Sequence, residues 1–144
     1  MHPMYIETNK PGQTKALRIE KFLYSVNDDF KTPLSLRLNL ENYSIKLATY
    51  AYNIFAVRKE FDIGHSAFYL NFHDSSLFVS SVAVVKTYRR KKLGTLLITR
   101  IEGFSREHNI KTIKLEAESR SNKVDQFYRN NGFDLVKNLY VKRL

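Results

Sequence analysis

The chain has 144 residues, 43% of them hydrophobic, and a formal charge of +10 at pH 7. That size and apolar content exclude global disorder and predict one domain, residues 1–144, with a core of its own. No apolar run approaches the ~20 residues that span a bilayer, the N-terminus MHPMYIETNK lacks the apolar centre of a secretory signal, and no cysteine is available for a disulfide, a thiolate nucleophile or a thiolate-bound metal. A cytoplasmic protein without a membrane partner is expected. Its charge favours anionic partners: CoA, a nucleotide sugar, nucleic acid or an acidic protein.

Met4–Thr8 reads as a short first strand and Asn9–Gly12 as a turn. Thr14 is placed to cap a helix that turns Ala16, Leu17, Phe22, Leu23 and Val26 inward, and Asn27–Asp28–Asp29 breaks it. A link from Thr32–Pro33 leads to a second helix, about Glu41 to Tyr50, with Tyr43, Leu47 and Tyr50 on one face. From Tyr52 the apolar period falls to two. Asn53–Lys59, Gly64–Phe72 and Leu77–Val85 are the predicted strands. Their links, Glu60–Gly64 and His73–Ser76, are short enough to make them antiparallel neighbours.

Leu93, Leu96, Leu97, Ile101 and Phe104 form the apolar stripe of a long helix ending near His108–Asn109. Lys111–Ala117 follows as a strand. Ser121 or Asn122 caps a helix through Asn131, with Gly132 as its C′ residue. Phe133–Val136 and Leu139–Val141 close the chain as short strands. The order β-α-α-β-β-β-α-β-α-β-β describes an α/β protein of the α+β kind: a central mixed sheet with helices on both faces. The strands on either side of 85–111, joined through a helix, should run parallel.

The chemistry concentrates where the third predicted strand of that run, rich in valine, passes through Lys86, Arg89, Arg90, Lys91 and Lys92 into the long helix at Leu93–Gly94–Thr95. First-turn amides without intrahelical partners, the helix dipole and five cations within seven residues make an anion site suited to a phosphate-bearing ligand. GxxxxGK[ST] and GxGxxG are both missing, which argues against a P-loop and against a dinucleotide fold. The segment from Val84 to Gly94, VVKTYRRKKLG, resembles V-x-P-x-[YW]-[QR]-x-x-G-x-[GA], the signature of the GNAT N-acetyltransferase superfamily. Lys86 replaces the proline and Lys92 the first glycine. A lysine can present its N–H there if φ stays negative, with a differently shaped or weaker loop as the consequence. The predicted element order also matches the GNAT fold from end to end.

This resemblance implies acetyl-CoA as cofactor. Its pyrophosphate would be held around Arg89, Arg90, Lys91, Lys92, Leu93, Gly94 and Thr95, and its pantetheine arm by backbone groups of Val82, Ala83 and Val84. Phe127–Tyr128–Arg129–Asn130–Asn131–Gly132–Phe133 resembles the family's [LF]-Y-x-x-x-G-F, which makes Tyr128 the candidate acid. A phenol within hydrogen-bond reach can protonate a leaving thiolate whose conjugate acid has a pKa of ~8.5. The alternative is a tyrosine that simply packs in the core. Leu115–Glu116–Ala117 resembles the L-E-V strand of the ribosomal-protein acetylating branch, whose glutamate is the general base; Glu118 is a weaker substitute, and a plain sheet-face residue is the rival reading. Ser121 or Asn122 would contact the pantetheine, or only cap the helix. His2, His65, His73 and His108 show no metal-binding spacing, so no metal is expected.

The family relation implies direct attack by an acceptor amine, without an acyl-enzyme. The expected acceptor is a primary amine of a small molecule or amino sugar. A protein N-terminus or lysine stays open as an alternative, as does a nucleic-acid- or CoA-binding module without transfer activity. Acceptor choice should fall to 22–40 and 133–144, with Tyr24, Phe30, Tyr43, Tyr50 and Tyr52 as aromatic candidates for the cleft and a second subunit of a homodimer as a further contributor.

Overall fold

Alternation along the second strand sets the layering. Ile54 and Ala56 point into one apolar layer, Phe55 and Val57 into the other, and all four are buried. The computed structural model describes residues 3–30, 32–89, 91–117 and 121–144, and among these the predicted order of elements holds. The strands are β1 (Met4–Asn9), β2 (Tyr52–Arg58), β3 (Phe61–Asn71), β4 (Ser76–Val84), β5 (Thr112–Leu115), β6 (Asp134–Val136) and β7 (Leu139–Arg143). The helices are α1 (Ala16–Val26), α2 (Leu40–Tyr50), α3 (Leu93–Glu107) and α4 (Asn122–Asn130). Short 3₁₀ turns occupy Asn27–Asp29, Leu34–Leu36 and Lys86–Tyr88.

One seven-stranded sheet runs β1-β2-β3-β4-β5-β7-β6. Every pair is antiparallel except β4 with β5, which is parallel as the helical crossover requires. α3 and α4 cover one face through Leu93, Leu97, Ile98, Ile101 and Tyr128. α1 and α2 cover the other through Ile19, Phe22, Leu23, Val26, Leu40, Leu47 and Ala48.

Several local expectations shift. Lys15, not Thr14, is the N-cap of α1 and offers no side-chain bond. Thr14 is buried instead, its Oγ1 without a hydrogen-bond partner. Leu17 is 59% exposed; the stripe that faces the sheet is Ile19, Phe22, Leu23 and Val26, spaced three, four and seven. Tyr50 and Leu96 likewise point outward. The β2–β3 turn falls at Lys59 and Glu60, with φ of 54° and 67°, so β3 begins at Phe61 rather than at Gly64. Two positive φ values are what a right-twisted two-residue hairpin demands, and neither residue type signals it. The remaining punctuation agrees: Asn109 after α3 is left-handed at φ 58°, and Gly132 after α4 has φ 87°; Asn39, which the sequence reading did not single out, caps α2.

The N-terminal layer contains a buried polar pair. Asn53 donates its Nδ2 to the carbonyls of Leu47 and Ala51, which leaves its Oδ1 to accept from His65 Nε2 at 2.9 Å. His65 lies between the rings of Phe22 and Phe55. Burial, with a smaller contribution from the Arg18 charge, pushes the imidazole down to about 3. Arg18 itself ties α1 to the sheet, bonding both carboxylate oxygens of Asp62 at 2.8 and 2.9 Å and stacking 3.8 Å from the Phe55 ring centre.

Candidate active site

A β-bulge opens the sheet at its centre. Ala67 pairs with Ser81 and the next residue, Phe68, with Val79, so Ser80 is an extra residue on β4. β5 pairs with β4 only through Ser76–Val79, whereas β4 continues to Val84. Beyond the bulge the two parallel strands part, and a cleft of about 760 Å³ lies between them. Ser80–Val84 form one side, and Leu115, Glu116, Ala117 and the start of α4 the other. β5 therefore ends before Glu116 and Ala117, which the predicted strand had included.

The open edge of β4 is made of main chain. Val85 N–H donates to Ile63 O, which sets the alternation along the β3–β4 ladder. Val82 and Val84 consequently turn their N–H and C=O groups away from β3 and toward the gap. Ala83 does not: its backbone groups face His65 on β3, which corrects the expectation that all three residues serve the same arm.

α3 starts at the head of this edge. Its N-cap, Lys92, makes no side-chain cap bond, and its first turn carries no acidic residue. The amides of Leu93, Gly94 and Thr95 have no intrahelical acceptor, and the helix dipole adds partial positive charge there. Lys92 adopts φ 60°, ψ 20°. The condition of a negative φ is not met: the lysine takes up the left-handed conformation that glycine holds more easily, at about 1–2 kcal/mol. The chain does so because the sheet and the helix fix both ends of the loop. Leu93 is anchored in the core. Gly94 lies so close to α4 that an added Cβ would stand 3.0 Å from the Phe127 ring. Thr95 Oγ1 accepts a bond from Asn131, also on the α4 side. A phosphate would meet free amides and no competing anion in this first turn, so the residues fit the group the loop pattern implies.

The basic side chains behave differently from one another. Arg89 donates Nε to Val84 O at 3.0 Å and Nη2 to Asp29 Oδ2 at 2.8 Å. It thereby links the phosphate loop to the turn that follows α1. Lys91 Nζ lies 5.4 Å from the centre of the Tyr88 ring, which also has the Arg58 guanidinium 5.8 Å away. Arg90 and Glu118 lie outside the described residues.

Tyr128 is buried and lines the cleft. Its ring is held edge-on to Phe127 and Phe133 and tilted against Tyr140. Glu116 is exposed and also lines the cleft. Ser121 lines the cleft too, and its hydroxyl accepts from Val124 N–H as a helix cap; Asn122 is the first residue of α4. Tyr128, Glu116, Ser121, Val82, Val84 and Arg89 therefore meet in one cleft although they come from distant parts of the chain.

Some lining residues escaped the sequence reading. Of the five aromatic candidates only Phe30 and Tyr43 reach the cleft, where the Tyr43 hydroxyl bonds Ser80 Oγ at 2.6 Å. Tyr24 and Tyr50 are exposed, and Tyr52 stacks on Phe68 in the core. Leu34, Arg37 and Leu38 also border the cleft, from a connection whose composition carries no periodic signal. Among the described residues no group of three or more His, Cys, Asp or Glu could hold a metal.

A model of the acetyltransferase (GNAT) family matches residues 22–133. The chain belongs to the GNAT acetyltransferase family. The GNAT protein is a transferase that acts on acetyl-CoA. Similar solved structures include a GNAT-family acetyltransferase from Staphylococcus aureus, 20% identical, with a TM-score of 0.72 over 97% of this chain and 99% of that one. The PaiA N-acetyltransferase of Thermoplasma acidophilum in complex with coenzyme A is 13% identical, with a TM-score of 0.75 over 97% and 99%. The IAA acetyltransferase of Bacillus cereus is 13% identical, with a TM-score of 0.72 over 99% and 100%. At these identities the likeness is one of fold, and it extends along the whole sheet.

Proposed function

We propose that the GNAT protein moves an acetyl group from acetyl-CoA directly to the primary amine of a small molecule, with Glu116 as base and Tyr128 as acid. The observation that carries this reading is the cleft in which the open edge at Val82 and Val84, Glu116 and Tyr128 converge, together with the uncapped first turn of α3 that follows the same strand. The amides of Leu93, Gly94 and Thr95 would hold the pyrophosphate, with Lys91 and Lys92 adding positive charge beside them. Val82 and Val84 would bond the amides of the pantetheine arm as a neighbouring strand does, and Ser121 or Asn122 the same arm from α4. Bound acetyl-CoA supplies an acyl thioester.

Glu116, directly or through a water, takes the proton that leaves the acceptor nitrogen as its bond to the acetyl carbon forms. Tyr128 donates its phenolic proton to the sulfur as the carbon–sulfur bond breaks, and regains one from solvent. The charge balance of the chain accords with a cofactor carrying several phosphates. Residues 1–144 act as one cytoplasmic unit in this reading; no helix among the described residues is long and apolar enough to cross a membrane.

Two measurements test it together: calorimetric binding of acetyl-CoA, and release of free thiol with a panel of small amines, amino sugars and peptides. Binding with amine-dependent thiol release is expected. Short DNA bound in place of acetyl-CoA would sink the enzymatic reading, and turnover confined to peptide N-termini or lysines would move the acceptor class to proteins.

A further inference from the structure

The helices cover the sheet unevenly. α1 and α2 pack on β2, β3 and β4, and among the described residues no side chain of β5, β6 or β7 joins that layer. Ile113, Leu115, Leu135 and Tyr140 point instead to the face beneath α3 and α4. Alternation turns Thr112, Lys114, Val136, Leu139, Val141 and Arg143 to the uncovered side. A groove of about 930 Å³ lies there, lined by apolar Val136, Leu139, Val141 and Leu144 and by cationic Lys111, Lys114, Lys137 and Arg143. Thr112 and Asn138 complete the lining, and no acidic side chain enters it. We propose that this groove docks an acidic segment of another polypeptide, one that carries apolar side chains between its carboxylates. None of the lining residues belongs to the cleft between β4 and β5, so the proposal stands apart from the acetyl-transfer reading.

Charge and apolar surface select this occupant together. Lys114 reaches Asp74 at 3.4 Å, but Lys111, Lys137 and Arg143 are exposed and form no ion pair among the described residues. Asp134 is on the same side of β6, opposite Val141, and does not line the groove. A second copy of the chain would meet these cations with its own, at net +10 each. Nucleic acid would satisfy the charges yet leave four apolar side chains against hydrated phosphate and sugar, and no aromatic ring lines the groove to stack a base. An anionic bilayer is flat and does not follow a concave wall. An acidic segment with apolar side chains meets both demands. Its carboxylates reach the ammonium and guanidinium groups, each exposed pair contributing little, and its apolar side chains leave water against the aliphatic lining.

The test is fluorescence anisotropy of the full chain with a labelled peptide of alternating glutamate and leucine, at low and at physiological salt. Saturable binding that weakens as salt rises is expected. The same peptide with serine for leucine should bind about tenfold more weakly, and with lysine for glutamate it should not bind. Lys137→Glu combined with Arg143→Glu should weaken the glutamate–leucine peptide by about tenfold, as two exposed attractions become repulsions, with the thermal melt and the Kd of acetyl-CoA unchanged. Val136→Ser should weaken the same peptide by about threefold. No binding of the glutamate–leucine peptide, a serine peptide that matches it, or a double variant that binds like the parent overturns the assignment. So does tighter binding of single-stranded DNA or phosphatidylserine vesicles, or sedimentation as a dimer that the double charge reversal dissolves.

Discussion

The two ends of the cleft are made of different material. Where acetyl-CoA is proposed to lie, the groups on offer are main-chain: the first amides of α3 and the outward N–H and C=O of Val82 and Val84. Where the acceptor is proposed to enter, they are side chains, Leu23, Phe30, Leu34 and Leu38 among them. A backbone site survives substitution so long as the chain keeps its path, because every residue but proline brings the same amide. Lys92 demonstrates this by taking φ 60° where the signature has glycine. A side-chain site changes with each residue, so under the proposed function it is the side-chain end that would set the acceptor.

The contrast can be broken in several ways, the largest first. Acid should weaken the fold through His65 in the N-terminal layer. His65 is neutral when folded, with its pKa at about 3, against an ordinary ~6.5 when unfolded. A depressed folded pKa means that the unfolded chain binds the extra proton. The stability is complete above about pH 6.5 and falls as the pH drops toward 3, by about 3 kcal/mol at pH 4. Thermal melts from pH 7 to 4 should show this loss, and His65→Gln should flatten the part of the curve that belongs to His65. An unchanged pH profile in that variant would remove His65 as the cause.

Tyr128→Phe and Glu116→Gln should each lower kcat by about a hundredfold at neutral pH, with the Kd of acetyl-CoA preserved. A tyrosine that only packs would lose little, because its ring stays. For Glu116→Gln, an unaltered pH–rate profile would return the glutamate to a structural role.

Gly94→Val tests whether the backbone site depends on one close helix contact. Its Cβ would stand 3.0 Å from Phe127, and the methyl groups beyond it would force α4 off α3. Loss of about 1–3 kcal/mol in urea melts is expected, with weaker acetyl-CoA binding. Lys92→Gly should have the smallest effect. It relieves left-handed strain of about 1–2 kcal/mol but restores about 0.4–1 kcal/mol of unfolded-chain entropy, for a modest net gain in Tm. Its acetyl-CoA affinity then reports whether the ammonium or only the amide matters, since Lys92→Ala keeps the strain and removes the charge.

Legibility in the sequence follows the same division. Several patterns carried within one element agree with the fold: the period-two run from Tyr52, the Ser121 cap, the glycine at 132, and the parallel β4–β5 pair around a helix. The candidate residues Tyr128, Glu116 and Ser121, which the resemblance to GNAT motifs implies, do line one cleft. The turn at Lys59–Glu60 was not, because lysine and glutamate do not announce positive φ. Nor was the inward turn of Thr14, which depends on where the helix begins relative to the sheet beneath it.

By itself the sequence determined the succession of strands and helices and the place where strand, basic loop and helix meet, since periodicity, capping and punctuation are written within a few neighbouring residues. Only the tertiary structure decided where the sheet divides and which groups face the gap. The Ser80 bulge is a mismatch between two strands. The Arg89–Asp29 bond joins residues 60 positions apart. The left-handed Lys92 follows from anchors on both sides of the loop. Each is a property of pairs that meet only after folding, and none can be read from one stretch of chain.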